Sequence, residues 1–425
     1  MMDFAHSKTK GIDNEKNMFI LSNAGLVLSF SPNSKTLKNF NIGFNYSTLN
    51  NFNRNTFQGY YETNGNSSLA NVWKEEADGK SPKQLNDFTT GLAYDAYMLY
   101  LSKEDIENGN YDYENPIRET DQLQHYKYTR ERGYQGEYAI SLGGNLSDKF
   151  YFGATLGIQS LHYKSFSVYT EEIIGDNITN KLEKFSMYQD FTSSGTGLNF
   201  KAGFIFRPIP AIRIGAAIHT PTYYNIDAFA ENNVSALFTE KPVEDAKVEP
   251  GFQYGNSAWT EYSYKLKTPW RVMAGVAVVL GQRAIISGDY EYVDYTAAKF
   301  SDDDAKNEYL ETNNVIKNIY KATHNFRAGA EYRFSSVFCI RGGYALSASP
   351  YTKGEMNEDN DIQIYSGGLG VNLGSFYADA SFMHKQSDLK GLFYYYESPN
   401  GTIESPEFKT KFYNNEFRLT LGLRF

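Results

Sequence analysis

The side chains able to do chemistry in this 425-residue chain are few and scattered. Its six histidines fall in unrelated segments, and no Ser/His/Asp set is accompanied by a supporting motif, so nucleophilic catalysis has no constellation to rest on. The one cysteine, Cys339, excludes a disulfide framework and a Cys-based zinc site. A single cysteine suits an oxidising compartment, where spare thiols are avoided, and its expected role is packing. Gly-rich stretches lie in strand-like segments, where glycine serves close packing or a kink more than phosphate binding. Neither an enzyme, a cofactor nor a metal is expected.

Charge is the chemistry that remains. A net charge of −9, with an acidic run at 301–304, offers no basic patch for nucleic acid. Cations do recur on one face of strand-like segments: Lys201, Arg213, Arg271, Arg327, Arg333, Arg341, Arg418 and Arg424, with Asp289, Glu291, Glu331 and Asp379 as acids. A few such cations in an apolar lumen can meet a carboxylate. Most are expected to be paired, because a charge on the wall of a narrow barrel is costly unless compensated. Matching residues across a turn at 280–283 places Arg271 opposite Glu291, an expected ion pair. A turn at 335–338 sets Arg333 beside Arg341, and adjacent like charges are destabilising. Two readings stay open: an acid, Glu331 or one from a neighbouring strand, sits between them, or the pair forms a weak anion site. Arg333, Arg341 and Lys201 are the candidate substrate-binding residues.

The elements that position these residues are strands. With 35 Tyr and 30 Phe the composition favours strands over helices. Mean hydropathy is −0.53 and no apolar run reaches the roughly 18 residues of a membrane-crossing helix. Low hydropathy is nevertheless compatible with a transmembrane barrel, in which only alternate residues face lipid. Residues 417–425 put Phe417, Leu419, Leu421, Leu423 and Phe425 on one face and Arg418, Thr420, Gly422 and Arg424 on the other. Phe40, Ile42, Phe44 and Tyr46 alternate likewise, as do Phe150, Phe152, Ala154, Leu156 and Ile158, and Phe326, Ala328, Ala330, Tyr332 and Phe334. Many segments reach about 9 to 11 residues, the length of a tilted membrane strand.

Tight turns near 31–34, 146–149, 207–210, 280–283, 335–338 and 373–376 alternate with long polar excursions near 50–132, 167–190, 239–256, 300–321, 351–361 and 385–407, as periplasmic turns and outer loops do. About thirteen strands can be counted, and residues 3–10 read as the tail of a further one whose beginning lies upstream, giving fourteen. The start, Met1-Met2-Asp3-Phe4-Ala5-His6, has no signal-peptide h-region or cleavage site, so the beginning of the gene product is expected to be missing. The fold expected is all-β: one transmembrane antiparallel β-barrel over 1–425, in the bacterial outer membrane, with 50–132 and 300–321 as long extracellular loops. Leu85, Phe88, Leu92, Ala96 and Leu99, after Ser81-Pro82, predict a helix in the first loop, and Tyr309, Ile316, Ile319 and Tyr320 a weaker one in the second. Such helices either pack the loops together or present an apolar face at the mouth.

Several stretches resemble the FadL/TodX family of outer-membrane transporters for hydrophobic compounds, in the branch often labelled hemin receptors. They are Arg213-Ile214-Gly215-Ala216-Ala217-Ile218-His219-Thr220-Pro221-Thr222-Tyr223-Tyr224, Lys267-Thr268-Pro269-Trp270-Arg271, Asp289-Tyr290-Glu291-Tyr292-Val293-Asp294-Tyr295, Arg327-Ala328-Gly329-Ala330-Glu331-Tyr332-Arg333, Arg341-Gly342-Gly343-Tyr344, Ser349-Pro350-Tyr351 and Ser366-Gly367-Gly368-Leu369-Gly370. The resemblance runs from about residue 17 to the end and implies a fourteen-stranded barrel. It also implies an N-terminal plug with an Asn-Pro-Ala motif, which nothing here matches; Asn23-Ala24-Gly25 lies within a strand.

Other implications concern the path and the partners. In the family the substrate leaves sideways through a kink in the third strand, here 37–49, where Gly43 is the lateral-opening candidate. Phe425 stands where the barrel-assembly machinery reads a C-terminal aromatic signal, and the closing seam, with only residues 3–10 to pair with 417–425, is expected to be incomplete. The family label suggests heme, for which His162 and His219 are the residues to weigh, but a lone strand histidine usually serves as a polar wall residue and no second ligand has suitable spacing. The expected partners are outer-membrane lipids and a hydrophobic small molecule, the chain acting as a monomer. The expected function is passive transport of hydrophobic or amphipathic, fatty-acid-like molecules; the alternative is a structural or adhesive surface barrel that binds an external ligand through its loops. An apolar cavity inside the barrel favours the first, and a lumen filled by paired charges the second.

Overall fold

The computed structural model describes residues 1–175, 181–242, 249–281, 283–302, 308–398 and 401–425. Gln282, Asp303 and Asp304, on which the turn at 280–283 and the acidic run at 301–304 partly depend, lie outside the described residues. One antiparallel sheet holds twenty segments, which form fourteen wall strands, five of them interrupted once, and a short flap strand, Gly251–Tyr254. In chain order the wall strands are β1 (Met2–Thr9), β2 (Ile12–Phe19, continued by Asn23–Phe30), β3 (Leu37–Asn51, continued by Arg54–Asn64), β4 (Gln122–Leu146), β5 (Phe150–Ile174), β6 (Leu182–Ile209) and β7 (Ile212–His219, continued by Tyr223–Phe238). They go on through β8 (Ala258–Lys267, continued by Arg271–Leu280), β9 (Ala284–Asp294, continued by Lys299–Ser301), β10 (Ala322–Arg333), β11 (Phe338–Ser347), β12 (Ile362–Asn372), β13 (Phe376–Gly391) and β14 (Phe408–Leu423). Each pairs with the next, β2 through separate pieces, Ile12–Phe19 with β1 and Asn23–Phe30 with β3, and β1 also pairs with β14.

The alternation that makes these strands also orients them. On β5 the outward row is apolar through Phe150, Phe152, Ala154, Leu156 and Ile158 and turns polar at Ser160, His162 and Lys164. That apolar stretch is the height of a bilayer's hydrocarbon layer for a tilted strand, and it marks a transmembrane barrel. The whole of β5, 25 residues, is about 80 Å long at 3.3 Å per residue, so its upper half stands clear of the membrane. The excursions at 50–132 and 167–190 are therefore shorter than their sequence suggests, since Arg54–Asn64 and the upper parts of β4, β5 and β6 are strands with polar residues on both faces.

The five interruptions fall at or above the upper rim of the apolar band. Two, at 20–22 in β2 and 52–53 in β3, are neighbours; the others, at 220–222, 268–270 and 295–298, lie on the adjacent strands β7, β8 and β9. Pro221 and Pro269 sit in two of these gaps, where a residue without an N–H cannot continue a ladder. Thr222 and Thr268 stitch the gap between β7 and β8: Thr268 N donates to Thr222 O at 3.0 Å, and Thr222 N to Thr268 Oγ1 at 2.8 Å. The closing seam is uneven. β1 pairs with β14 only from Phe417 upward, so residues 418–423 of β14 and Asn23–Phe30 of β2 face each other with no strand between them among the described residues.

A lid covers the long-loop end, built from α1 (Leu69–Ala77), α2 (Thr90–Asp95) and α3 (Lys103–Asn108). Trp73, Leu92, Met98, Leu99 and Tyr113 pack on Leu123, Ile173, Phe185, Val234 and Phe238 of the wall. The helix expected over 85–99 is split. Asn86 Oδ1 accepts from Phe88 N at 2.8 Å and Asn86 N donates to Thr90 Oγ1 at 2.9 Å, local bonds that compete with helix propagation. The weaker expectation corresponds to α4 (Leu310–Ile319).

A buried carboxylate ties the lid down. Glu171, at the top of β5 and 1% exposed, accepts from Ser68 Oγ at 2.6 Å and Leu69 N at 2.8 Å, the N-terminus of α1, and from Tyr169 OH at 2.8 Å. His125, fully buried on β4, lies 2.7 Å from the Tyr169 hydroxyl through Nδ1 and 2.6 Å from Thr63 Oγ1 through Nε2. Tyr394, from the loop before β14, packs on Tyr169 and completes the set of titratable groups facing Glu171.

These groups make lid docking depend on pH. Burial pushes the Glu171 carboxyl up to about 7 and the His125 ring down to about 4. The docked state therefore holds a proton on Glu171 that the undocked state releases above its ordinary value of 4.5; this contribution is lost as pH rises through about 7. His125 contributes in the opposite sense, fully above 6.5 and lost as pH falls through about 4. The two cancel between about 4.5 and 6.5. Amide exchange of Leu69–Ala77, corrected for intrinsic rates, is expected to show level protection across that window and a fall through pH 7; Glu171→Gln should remove the fall. Protection that rises through pH 7 contradicts the assignment.

Candidate functional site

At the end of the barrel that carries the short turns, register places Glu331 directly opposite Arg341. Arg333 Nε and Arg341 Nε each donate to one Glu331 oxygen at 2.7 Å, and Arg341 also binds Asp379. Of the two readings of the Arg333–Arg341 pair, an acid between them is the one the geometry shows. Lys201 is neutralised as well, by Glu137, which is 5% exposed. Gln159 Nε2 and Asn199 Nδ2 donate to the other Glu137 oxygen at 2.7 and 3.3 Å, and Tyr224, Gln135 and Thr222 extend a polar belt around the lumen. Lys201 is on β6 and Glu137 on β4, two strands away. They meet across Gly157 of β5, where a Cβ would stand 2.8 Å from Glu137 Oε2 and 2.6 Å from Asn199 Oδ1.

The expected Arg271–Glu291 ion pair is absent. Across the turn Arg271 stands opposite Val293, which leaves Glu291 one inward step lower, facing Met273. Glu291 takes its partners from β10 instead: Asn325 Nδ2 donates at 2.9 Å and Arg327 at 3.1 Å. The guanidinium groups of Arg271 and Arg213 make no hydrogen bond or ion pair among the described residues.

These two arginines bracket the least polar part of the lumen wall. Register sets Arg271 level with His219 at the top and Arg213 level with Ala277 at the bottom, six residues or about 20 Å apart along the strand. Between them Gly203, Ile205, Gly215, Ala217, Met273 and Gly275 line a groove of about 600 Å³, into which Arg213 and Asp289 reach. A run of small and apolar side chains ending in unpaired guanidiniums can hold a hydrocarbon tail along the wall and a carboxylate at one end. The sequence signals were the Gly/Ala-rich motif that begins at Arg213 and the Lys267-Thr268-Pro269-Trp270-Arg271 motif that ends at Arg271. Assigning Glu291 to Arg271 hid the second.

Gly43 is not where the third strand breaks. It pairs regularly with Val27 on one side and Ser141 on the other. The register slips higher, between Thr48 and Asn50, and β3 is interrupted at 52–53. Above this point β3 pairs with β4 alone, while the Ile12–Phe19 piece of β2 pairs only with β1. Inside the break a cavity of about 370 Å³ is bounded by Asp3, Asn51, Arg54, Glu131, Lys385 and Phe412. The sequence reading missed all of these. His162 faces outward, with Nδ1 3.0 Å from Ser194 Oγ, and His219 faces inward, so the two histidines are on opposite sides of the wall.

No family model matches the chain, and no curated protein matches it in sequence. Among solved structures it shares its fold with a FadL homologue from Pseudomonas aeruginosa, with a TM-score of 0.53 and 10% identity over 99% of this chain and 88% of that one. The toluene transporter TodX of Pseudomonas putida gives 0.44 and 9%, covering 100% and 87%. The CymD monoaromatic hydrocarbon channel gives 0.40 and 10%, covering 98% and 88%.

Glu331 is the acid on which the arginine frame depends. Glu331→Gln leaves Arg333 without its carboxylate and Arg341 with Asp379 alone; with both guanidiniums half in water, the expected loss is about 1–2 kcal/mol. The midpoint of urea unfolding in lipid measures it, and an unchanged midpoint would show that the frame adds no stability.

Proposed function

We propose that this chain is an outer-membrane channel that passes hydrophobic or amphipathic small molecules, fatty-acid-like in form, without an energy-coupling cofactor. The observation that carries the reading is the groove of about 600 Å³ between Arg271 and Arg213: a lumen serving only as a structural core would be filled by compensated charge throughout. The fold shared with a FadL homologue supports the same reading. A substrate enters beneath the lid, passes the polar belt around Glu137, and lies in the groove with its acidic group at Arg271. The lateral opening of this path is the interruption of β3 at 52–53, above the belt, since Gly43 pairs regularly on both sides. The apolar residues of the first long loop are largely used in the lid's own core, which leaves less of it for an adhesive surface. In this setting the chain acts as a monomer among outer-membrane lipids, and Phe425, fully exposed beyond β14, is the residue the barrel-assembly machinery would read.

Uptake into proteoliposomes tests the path and the anchor separately. Ala217→Phe fills the groove and is expected to slow entry of every long-chain probe. Arg271→Gln is expected to raise the half-saturating concentration of a long-chain carboxylate about tenfold, the worth of one charge-assisted hydrogen bond, while leaving the alcohol of equal length unchanged. If a correctly folded Ala217→Phe barrel transports at the original rate, the groove is not the route.

A further inference from the structure

The short-turn mouth holds a second arrangement that the transport reading does not use. A polar pocket of about 730 Å³ is lined by Arg283, Arg333, Arg341 and Arg424, with Glu331 and Asp379 as its acids. We propose that this pocket is a binding site for a phosphate-type anion at the mouth of the barrel, separate from the groove and independent of what the groove carries.

The case rests on how the charges are arranged. Glu331 and Asp379 are the more enclosed members, 16% and 29% exposed; Glu331 binds Nε of Arg333 and of Arg341, and Asp379 a terminal nitrogen of Arg341. The remaining guanidinium N–H groups are left for a ligand. Gly370 leaves room at this point: a Cβ there would stand 2.6 Å from Asp379 Oδ1 and Cys339 Sγ and 3.3 Å from an Arg341 terminal nitrogen. Arg283 and Arg424 make no side-chain ion pair among the described residues, and Arg424 instead lies over the Tyr377 ring at 5.2 Å. Four cations against two acids leave an excess of two positive charges, which a phosphate matches with its charge and its several acceptor oxygens. The volume exceeds a bare phosphate, so the group belongs to a larger body, either a soluble phosphate ester or a phospholipid headgroup.

Cys339, the one cysteine, lines the pocket and serves as a reporter. The full chain in nanodiscs is treated with sulfonate-bearing and trimethylammonium-bearing methanethiosulfonates, each rate normalised to that with free cysteine. The anionic reagent is expected to react about tenfold faster than the cationic one, the scale of electrostatic focusing in a charged cleft. Inorganic phosphate should slow both reactions, and the double variant R283Q/R424Q should abolish the preference and the protection. Neither arginine carries an ion pair, so folding should persist; R283Q alone, with a partial loss, is the second variant. Protection by inorganic phosphate in phosphatidylcholine nanodiscs assigns the site to soluble esters, and protection only with phosphatidylglycerol present assigns it to headgroups. Equal normalised rates without protection by either overturn the proposal, as does protection that survives R283Q/R424Q.

Discussion

Backbone pairing is the constraint on which this structure depends. In hydrocarbon an unpaired N–H or C=O has no water to turn to, so strands crossing a bilayer must hand every such group to a neighbour. The fourteen strands meet this demand almost throughout the apolar band, and their five interruptions stand at or above its upper rim, where water returns. The lower seam between β14 and β2 is the exception: Leu419, Leu421 and Leu423 keep the outward apolar row, but the edge beside them has no strand partner among the described residues.

Once the backbone is satisfied, the inward face is free to vary, and its charges divide the lumen into layers. Near the short turns Glu331 and Asp379 gather arginines; at mid-height Glu137 holds Lys201 within a polar belt. Each carboxylate is more enclosed than the cations around it, as expected of an acid that stays charged only while surrounded by donors. The groove between Arg271 and Arg213 is the gap in this pattern, and for that reason it reads as a place for something else.

The sequence made the membrane-facing half of the fold plain, because period-two alternation of Phe, Leu and Ile with Gly, Ser and Arg repeats there without ambiguity. Above the band both faces of β4, β5 and β6 are polar, the alternation signal vanishes, and long strands read as loops. α1 was legible in hindsight, with Ser68 as its cap and Leu69, Val72, Trp73 and Ala77 at helical spacing. Within the site, partners one hairpin apart were within reach of register counting, as with Glu331 and Arg341. Lys201 and Glu137 were not, because they meet over an intervening glycine, a relation no hairpin encodes. Arg271 was misassigned by a small error in turn length, enough to move Glu291 one inward step away.

That every strand interruption falls at or above the rim has a further consequence. It divides the molecule into a lower ring, whose side chains are dictated by lipid and by one another, and an upper crown joined to it through a few strands, β4, β5 and β6 among them, that run through unbroken. A joint of this kind lets the crown be rebuilt by insertion, loss or exchange of loops while the ring is inherited unchanged. Related barrels should therefore differ most above Thr48, Pro221 and Pro269, and a crown transplanted at those positions should keep its own surface character on a foreign ring.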